Sequence, residues 1–334
     1  MNSQKSSPPS EPKKRHKGLI ITLSCLLGLF GCFMLVAGFL VQYYFGGLKT
    51  ESLTTDYSEL GITDTAPQDK KIVNIALYGV DSVGEKIYGR SDAIMVLSVD
   101  NRHGKLKLTS ILRDSYVQIE GYGNDKITHA FVFGGAPLAI RTLNQNFNLD
   151  IKEYVAVNFN SLAKVIDAMN GVDMVITEAE RVEINRIMAT SHYGVKWNRV
   201  TSSGLVHLDG IQAMSYARIR GIDNDIKRSH RQQDVLKALF EKMQKMKKSE
   251  YPDFIRQMIG LVETSLSYND ILSLSAIMFS PNLEVVTNTI PLQEDDLTSG
   301  FKDKVWYWFY DLDLATDRLH KFIYDDVYDV TSQS

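Results

Sequence analysis

The sequence predicts an α/β fold, a central mixed β-sheet flanked by helices, preceded by one N-terminal transmembrane helix. Three observations predict it. An uncharged apolar run spans residues 19–41, and three segments dense in β-branched and aliphatic residues follow between positions 72 and 112. After position 127, strand-like segments alternate with stretches at helical spacing. With 334 residues and 44% hydrophobic content, the chain can bury one large or two modest cores.

Residues 1–18 are polar, rich in Ser, Pro and Lys, and read as a tail that does not fold alone. The 23 uncharged residues that follow make a helix about 34 Å long, enough to cross a hydrocarbon core of ~30 Å. A signal-peptide apolar region is shorter, roughly 7 to 15 residues, so the run predicts an uncleaved signal anchor. Lys13, Lys14, Arg15 and Lys17 stand before it, whereas Gln42, Tyr43 and Tyr44 follow it with no positive charge until Lys49. The positive-inside bias then places the tail in the cytoplasm and the rest of a single-pass protein outside the cell membrane. Both cysteines, Cys25 and Cys32, lie inside the run. A disulfide framework, a thiolate metal site and a Cys nucleophile are therefore excluded from the exported part, a usage that suits a Gram-positive bacterium. The net charge of −3 argues against nucleic acid as a partner.

Residues 42–70 read as a polar stalk and 71–332 as one exported domain. Strands are expected at 72–81, 93–100 and 105–112, the last two joined by a tight hairpin through Asn101 and Gly104. The helical pattern at 127–147 is interrupted at Gly134-Gly135-Ala136-Pro137, which predicts two helices. A strand at 153–159, a helix at 161–169, a turn at Asn170-Gly171 and a strand at 172–176 suggest a sheet covered by helices. Residues 178–206 read as polar helix or loop. Asp209 or Gly210 opens a helix carrying Tyr216 and Arg218, and Asp225 reads as the N-cap of a long helix reaching about residue 247. Its apolar positions Val235, Leu236, Leu239, Phe240, Met243 and Met246 recur at helical spacing. Helices near 253–266 and 270–279, a strand at 284–290 and an aromatic stretch at 305–313 complete the domain.

The chemistry concentrates at 209–234. Arg218, Arg220, Arg228 and Arg231 are interleaved there with Asp223 and Asp225. A guanidinium is a planar fork that meets phosphate oxygens with two hydrogen bonds and stays charged at any biological pH. Arg228 and Arg231, three apart, are expected to share a helix face near the positive end of the dipole. Further charges sit at the expected strand ends: Asp81 after the first, Arg90 and Asp92 before the second, Arg113 and Asp114 after the third. Such ends are where a rigid sheet presents site residues to a crevice. Neither an HExxH motif nor a Walker loop is present.

The pattern GVD, GRSD, LRDSYV and YARIRGIDNDIKRSHRQQ resembles the LytR-CpsA-Psr family of membrane-anchored bacterial phosphotransferases over about residues 72–245. The resemblance implies an α/β fold with a lipid-lined tunnel leading to a charged pocket. It implies transfer of a glycopolymer, such as a teichoic acid or capsular polysaccharide, from an undecaprenyl pyrophosphate-linked donor to a peptidoglycan acceptor through a phosphodiester. By position, Asp81 and Asp92 are similar to the family's Mg²⁺ (or Mn²⁺) ligands. Arg90, Arg113, Arg218 and Arg220 resemble the pyrophosphate clamp, with Arg228, Arg231 and Gln232 beside them, and Asp225 joins the clamp arginines in the catalytic set. Before the strand at 172 this chain has Asn170-Gly171 where many relatives have two glycines.

Those residue types suit the chemistry. Phosphoryl transfer depends on positioning and charge neutralisation more than on a covalent nucleophile, and Mg²⁺ takes one or two carboxylates plus phosphate oxygens and water. Other roles stay open in the sequence. Asp81 can cap its turn, Asp114 is read as the partner that orients Arg113, and Gln232 and Gln233 as groups that orient arginines. Asp223 and Asp225 can cap helices, fix arginines or act as base, and His129 and His230 are available bases. A polyprenyl pyrophosphate phosphatase and a non-catalytic lipid-intermediate binding or regulatory membrane protein are the alternative functions.

Overall fold

The computed structural model describes residues 53, 57–82, 87–190, 198–245, 247, 261–267, 270 and 283–328. The expected tail at 1–18, the anchor at 19–41 and the expected helical positions 253–260 and 271–279 lie outside the described residues. Among the described residues no helix is long and apolar enough to cross a membrane.

Strands β1 (Ile72–Val80), β2 (Ser91–Asp100) and β3 (Lys105–Ile111) form an antiparallel meander. Nearly every residue of β1 and β2 is buried. That explains their continuous apolar runs, since strands covered on both faces lose the in-out alternation. A hairpin absent from the sequence reading comes next, β4 (Tyr116–Ile119) with β5 (Gly123–Lys126). Helix α1 (His129–Phe147) leaves helical geometry at Gly134 and Gly135, so it is two helices joined at a kink, as expected. Its buried residues Ala136, Ala139, Ile140, Leu143 and Phe147 recur at helical spacing and form one face.

Strand β6 (Glu153–Asn158) returns parallel to β1 and leads into α2 (Phe159–Ala168), capped by the Asn158 side chain, which accepts from the Ser161 amide. Asn170 and Gly171 then both take positive φ, 59° and 71°, a conformation that Asn tolerates better than most side chains. Strand β7 (Val172–Ile176) does not join the central sheet, contrary to the strand-helix-strand expectation. It pairs with β8 (Gly204–Leu208), whose first residues fall at the end of the stretch expected to be polar helix or loop. Between them α3 (Glu178–Thr190) supplies the helix of that stretch. Helix α4 (Gly210–Tyr216) opens with a capping box from Asp209 and Gln212 and ends before Arg218, so Arg218 lies beyond the helix and not on it.

Helix α5 (Asp225–Lys245) begins at Asp225, but its cap is Asn224, whose side chain accepts from the Lys227 amide. Val235, Leu236 and Leu239 are buried as expected; the side chains of Phe240, Met243 and Met246 lie outside the described residues. Strand β9 (Glu263–Thr264) replaces the end of an expected helix and pairs with β6. Strand β10 (Glu284–Ile290) runs parallel to β3. The aromatic stretch becomes β12 (Val305–Phe309), paired with β11 (Thr298–Lys302), and runs into α6 (Leu312–Tyr324), which Asp311 caps.

The result is a six-stranded mixed sheet in the order β10-β3-β2-β1-β6-β9. Register fixes which helices cover which face. Tyr78, Ile94 and Ile111 pair in one row, and Tyr78 meets Phe131 of α1 with ring centroids 5.1 Å apart. Ser110 therefore points to the opposite face, where it accepts a hydrogen bond from Gln233 of α5 at 2.9 Å. Residues 57–70 belong to the domain and are not a free stalk. Leu60 is buried, its carbonyl accepts from Asn144, and Thr63 donates to Asn148.

Candidate active site

Pairing of β1 with β2 and β6, and of β3 with β2 and β10, brings the C-terminal ends of β1, β3, β6 and β10 to one edge with the start of β2. Asp81, Arg90, Asp92, Arg113 and Phe159 all follow or open those strands. The register slips between Gly79, which faces Ala93, and Val80, which faces Ser91. Asp92 is the extra residue of this bulge, a device that re-aims a side chain at a sheet edge. The Asp81 amide donates to the Arg90 carbonyl at 2.9 Å, closing the loop between β1 and β2. Gly89 enters that closure at φ 150°, where an added Cβ would lie 2.2 Å from the Asp81 carbonyl oxygen. Only glycine fits there.

Arg113 is the hinge of the charge network. It donates to Asp92 at 2.9 Å through Nη1 and to Asp114 at 3.3 Å through Nε. Asp114 also accepts from Lys126 at 2.6 Å. Burial would raise the Asp114 carboxyl, but Arg113 and Lys126 hold it below the usual carboxylate range. This matches the expectation that Asp114 orients Arg113. Lys126 escaped the sequence reading because it lies in the short polar strand GNDK, which carries no periodic signal.

From the opposite side come the residues after α4 and the start of α5. Arg218 places its guanidinium 4.8 Å from the Phe159 ring centroid, a cation–π contact that a position at the end of β6 supplies. Arg228 is buried and donates to Asp225 at 2.5 Å. Asp225 is also 3.9 Å from Arg220, so one of its oxygens is engaged by arginines. Burial and then the neighbouring Arg113 press the Arg220 pKa downward, and burial with Arg220 and Arg113 nearby does the same to Arg228. A guanidinium keeps its proton regardless, so the cost appears as unsatisfied charge. Among the described residues, Arg220 Nη2, Arg228 Nε and Asp92 Oδ2 are buried without a hydrogen-bond partner. Buried orphans of this kind gathered in one place call for an explanation, and a bound ion would supply one.

Burial, and next the Asp92 charge, push the Asp81 carboxyl up to about 7 against the pull of Arg90, Arg218 and Arg113. Burial also raises Asp92 despite Arg113, Arg220, Arg228 and Arg90 around it. Arg90 itself is exposed at the rim. The structure thus gathers Asp81, Arg90, Asp92, Arg113, Arg218, Arg220, Asp225 and Arg228 into one field.

Arg231 is placed elsewhere. Its Nε donates to Glu180 at 2.7 Å and its two terminal nitrogens to Asp223, with the guanidinium 6.0 Å from the Tyr216 ring centroid. Its donors are committed to carboxylates, so it does not add to a phosphate clamp. The physical reason is Glu180, a buried carboxylate of α3 that requires a counter-charge. Gln232 reaches the Ala217 carbonyl at 3.4 Å, tying α5 to the segment that carries Arg218. Gln233 binds Ser110 and the Asn288 carbonyl, anchoring α5 to β3 and β10 and not orienting an arginine directly. His230 has Lys227 and Arg231 as its charged neighbours and stands outside the field.

The model of the LytR_cpsA_psr family matches residues 44–321. A polyisoprenyl-teichoic acid–peptidoglycan teichoic acid transferase TagT of Bacillus subtilis (strain 168) is 28% identical over 276 residues, covering 79% of this chain and 84% of the relative. The TagU transferase of the same description from Bacillus mycoides (strain KBAB4) is 29% identical over 295 residues, covering 85% and 90%. Among solved structures, a LytR-CPS2A-psr family protein YwtF (TagT) with bound octaprenyl pyrophosphate lipid superposes with a TM-score of 0.62 at 24% identity, covering 82% of this chain and 99% of that one. At that identity the likeness shows the shared fold.

Proposed function

The chain belongs to the LytR-CpsA-Psr family, and from that premise we propose that it is a phosphotransferase. It moves a glycopolymer, a teichoic acid or a capsular or other wall polysaccharide, from an undecaprenyl pyrophosphate-linked donor onto peptidoglycan through a phosphodiester. The observation that carries this reading is the field at the sheet edge, where Arg220 Nη2, Arg228 Nε and Asp92 Oδ2 are buried without partners among the described residues. A pyrophosphate offers acceptors to the two guanidiniums at once.

In this reading the sugar hydroxyl oxygen of the acceptor attacks the sugar-bearing phosphorus. The bond from that phosphorus to the bridging oxygen breaks, and undecaprenyl phosphate leaves while the hydroxyl proton passes to a base. Arg113, Arg218, Arg220 and Arg228 surround the phosphates and neutralise charge that grows on the leaving group. Asp225 holds Arg228 in place.

Asp81 and Asp92 fit a divalent cation such as Mg²⁺ or Mn²⁺. Burial raises both carboxyls and the Asp92 charge adds to the rise at Asp81, and among the described residues the Asp92 oxygen not engaged by Arg113 has no hydrogen-bond partner. Two carboxylates with phosphate oxygens and water make a hard-cation set, and the ion would supply charge neutralisation at the transferring phosphoryl group. The charge asymmetry around residues 19–41 supports a single-pass protein with this domain outside the cell membrane; a reporter fused after Ser334 that is active only in the cytoplasm would overturn that placement.

The test incubates the detergent-solubilised full chain with an undecaprenyl pyrophosphate-linked glycan, Mg²⁺ and peptidoglycan oligomers. Covalent linkage of glycan to peptidoglycan is the expected result. Release of lipid phosphate without linkage would make the protein a phosphatase, and binding without turnover would make it a carrier or regulator of lipid intermediates.

A further inference from the structure

Beside the charged field lies a second group of side chains to which the transfer chemistry above gives no task. The β4–β5 hairpin turns through Gly121, Tyr122 and Gly123, both glycines at positive φ, and Tyr122 at its tip folds over Phe133 of α1. The two rings stack with centroids 4.4 Å apart and planes 13° from parallel, and the Tyr122 hydroxyl donates to the Phe133 carbonyl. Tyr122 is still 55% exposed and Phe133 37% exposed, so the stack presents aromatic surface to solvent. The Gly134–Gly135 kink ends the short first segment of α1 just after Phe133. That segment carries His129 and Phe133 four residues apart, on one face, with ring centroids 5.7 Å apart.

The polar members of the group are equally ordered. His129 Nδ1 lies 2.7 Å from Asp125 Oδ2, and the Tyr307 hydroxyl donates to the other Asp125 oxygen at 3.2 Å. The group is joined to the field by covalent and hydrogen-bonded links. Lys126, next to Asp125, donates to Asp114, which accepts from Arg113. The Thr128 amide, just before His129, donates to the Arg113 carbonyl at 3.2 Å, and the Trp308 amide, just after Tyr307, to the Asp114 carbonyl at 2.9 Å.

We propose that Tyr122, Phe133, Asp125, His129 and Tyr307 form the subsite for the sugar rings of the acceptor. The inference rests on the transferase reading and gives it a second substrate site. A pyranose has one face of C–H bonds and a rim of hydroxyls. The C–H face carries slight positive charge and lies well on an electron-rich aromatic face, while the rim needs acceptors and donors such as a carboxylate, an imidazole and a phenol. A lipid chain would be poorly served by this surface, because Asp125 and His129 would lose hydration without gaining a partner. The position is also right for an acceptor, since backbone and side-chain links to Arg113 and Asp114 set the group against the wall of the phosphate pocket.

The test titrates the full chain in detergent with an uncrosslinked N-acetylglucosamine–N-acetylmuramic acid tetrasaccharide by calorimetry and, separately, with undecaprenyl pyrophosphate. Tyr122→Ala and Phe133→Ala are each expected to weaken tetrasaccharide binding about tenfold, the scale of one good aromatic contact, and to leave the lipid titration unchanged. Phe133→Tyr, which keeps the ring, is expected to retain it. Tetrasaccharide binding that is absent in the wild type, or unchanged in both alanine variants, overturns the subsite and leaves the transferase reading standing. Failure of the wild type to bind undecaprenyl pyrophosphate overturns the transferase reading instead, and the tetrasaccharide titration still decides the subsite by itself.

Discussion

Arg231 and Arg220 belong to the same arginine-rich block, yet their surroundings predict opposite consequences of removal. Arg231 is 6% exposed and paired with Glu180 and Asp223. Arg231→Ala leaves the buried Glu180 carboxylate without its counter-charge, a defect that costs about 3–5 kcal/mol. For a domain of this size each kcal/mol lowers Tm by about 2–4 °C, so a fall of about 10 °C is expected. Glu180→Gln in the same chain should recover part of it, because the stranded charge is then gone. Arg220, by contrast, carries a buried nitrogen without a hydrogen-bond partner among the described residues and sits beside Arg113 and Arg228. Arg220→Ala relieves that repulsion, so stability should hold within about 1 kcal/mol or rise, as is usual where charge is stored for function. The same variant should weaken undecaprenyl pyrophosphate binding about 10- to 100-fold, the worth of one or two charge-assisted hydrogen bonds. Thermal unfolding and lipid titration of the full chain in detergent measure both quantities. Wild-type Tm in Arg231→Ala together with an Arg220-like loss of lipid binding would refute the separation of the two arginines.

Asp92→Ala is expected to shift the rate of transfer to higher Mg²⁺ by more than about tenfold, since even outer partners of metal ligands are worth that much; an unchanged metal titration removes Asp92 from the cation site. Glu153 on β6 is half-buried, and burial first, then Asp270, push its carboxyl from 4.5 up to about 7 against the hydrogen bond from Ser265. The folded state therefore holds this proton more tightly than the unfolded chain, and stability falls as pH rises from about 4.5 through 7. Glu153→Gln should leave stability near wild type at pH 4 and gain about 3 kcal/mol at pH 8; urea unfolding at the two pH values that shows equal differences would contradict it. Gly210 opens α4 where an added Cβ would fall 2.1 Å from the Ala163 carbonyl oxygen in α2. Gly210→Ala should cost about 2–3 kcal/mol by overpacking, and wild-type thermal stability would show that the two helices can separate without loss.

How much of this was legible in the sequence depends on how local each signal is. The meander was legible because β1, β2 and β3 are buried runs whose composition admits little else, and the break in α1 because Gly134-Gly135 and Pro137 interrupt a clear helical pattern. The ends of those strands pointed to Asp81, Arg90, Asp92 and Arg113, and the sheet register does bring them to one edge. Pairing across long separations left no such trace. Strand β7 looked like a sheet member because its apolar alternation is equally suited to a two-stranded ribbon, and its partner β8 has only Val206 and Leu208 buried. The role of Arg231 was hidden for the same reason. Three residues from Arg228 it should share a face, but its long side chain turns toward Glu180, fifty-one residues earlier. Lys126 and the Tyr122–Phe133 stack arise from a glycine-rich hairpin with no periodicity to read. The cap of α6 by Asp311 was a local signal, overlooked beneath the aromatic run before it.

Both ends of the central sheet bury charges, and the contrast between them says why only one is read as a site. At the end away from the arginines, Lys107 is wholly buried between Asp100 at 2.8 Å and Asp326 at 3.1 Å, and its ammonium also donates to the Ile323 carbonyl at 2.8 Å. Lys105 completes the cluster through Asp326 and the Tyr328 hydroxyl. Asp100, His103 and Asp326 converge closely enough to suggest a metal site, but the Lys107 ammonium already supplies the positive charge those carboxylates need. A divalent ion would have to displace a fully bonded cation, so the cluster is a structural lock. At the arginine end the accounting does not close within the chain. Among the described residues Arg220, Arg228 and Asp92 each keep a buried polar atom without a hydrogen-bond partner, and the two arginines repel each other across a small space. Folding bears that cost from the rest of the core. An anion of several oxygens would satisfy the two arginines, and the cation proposed above would answer the free Asp92 oxygen.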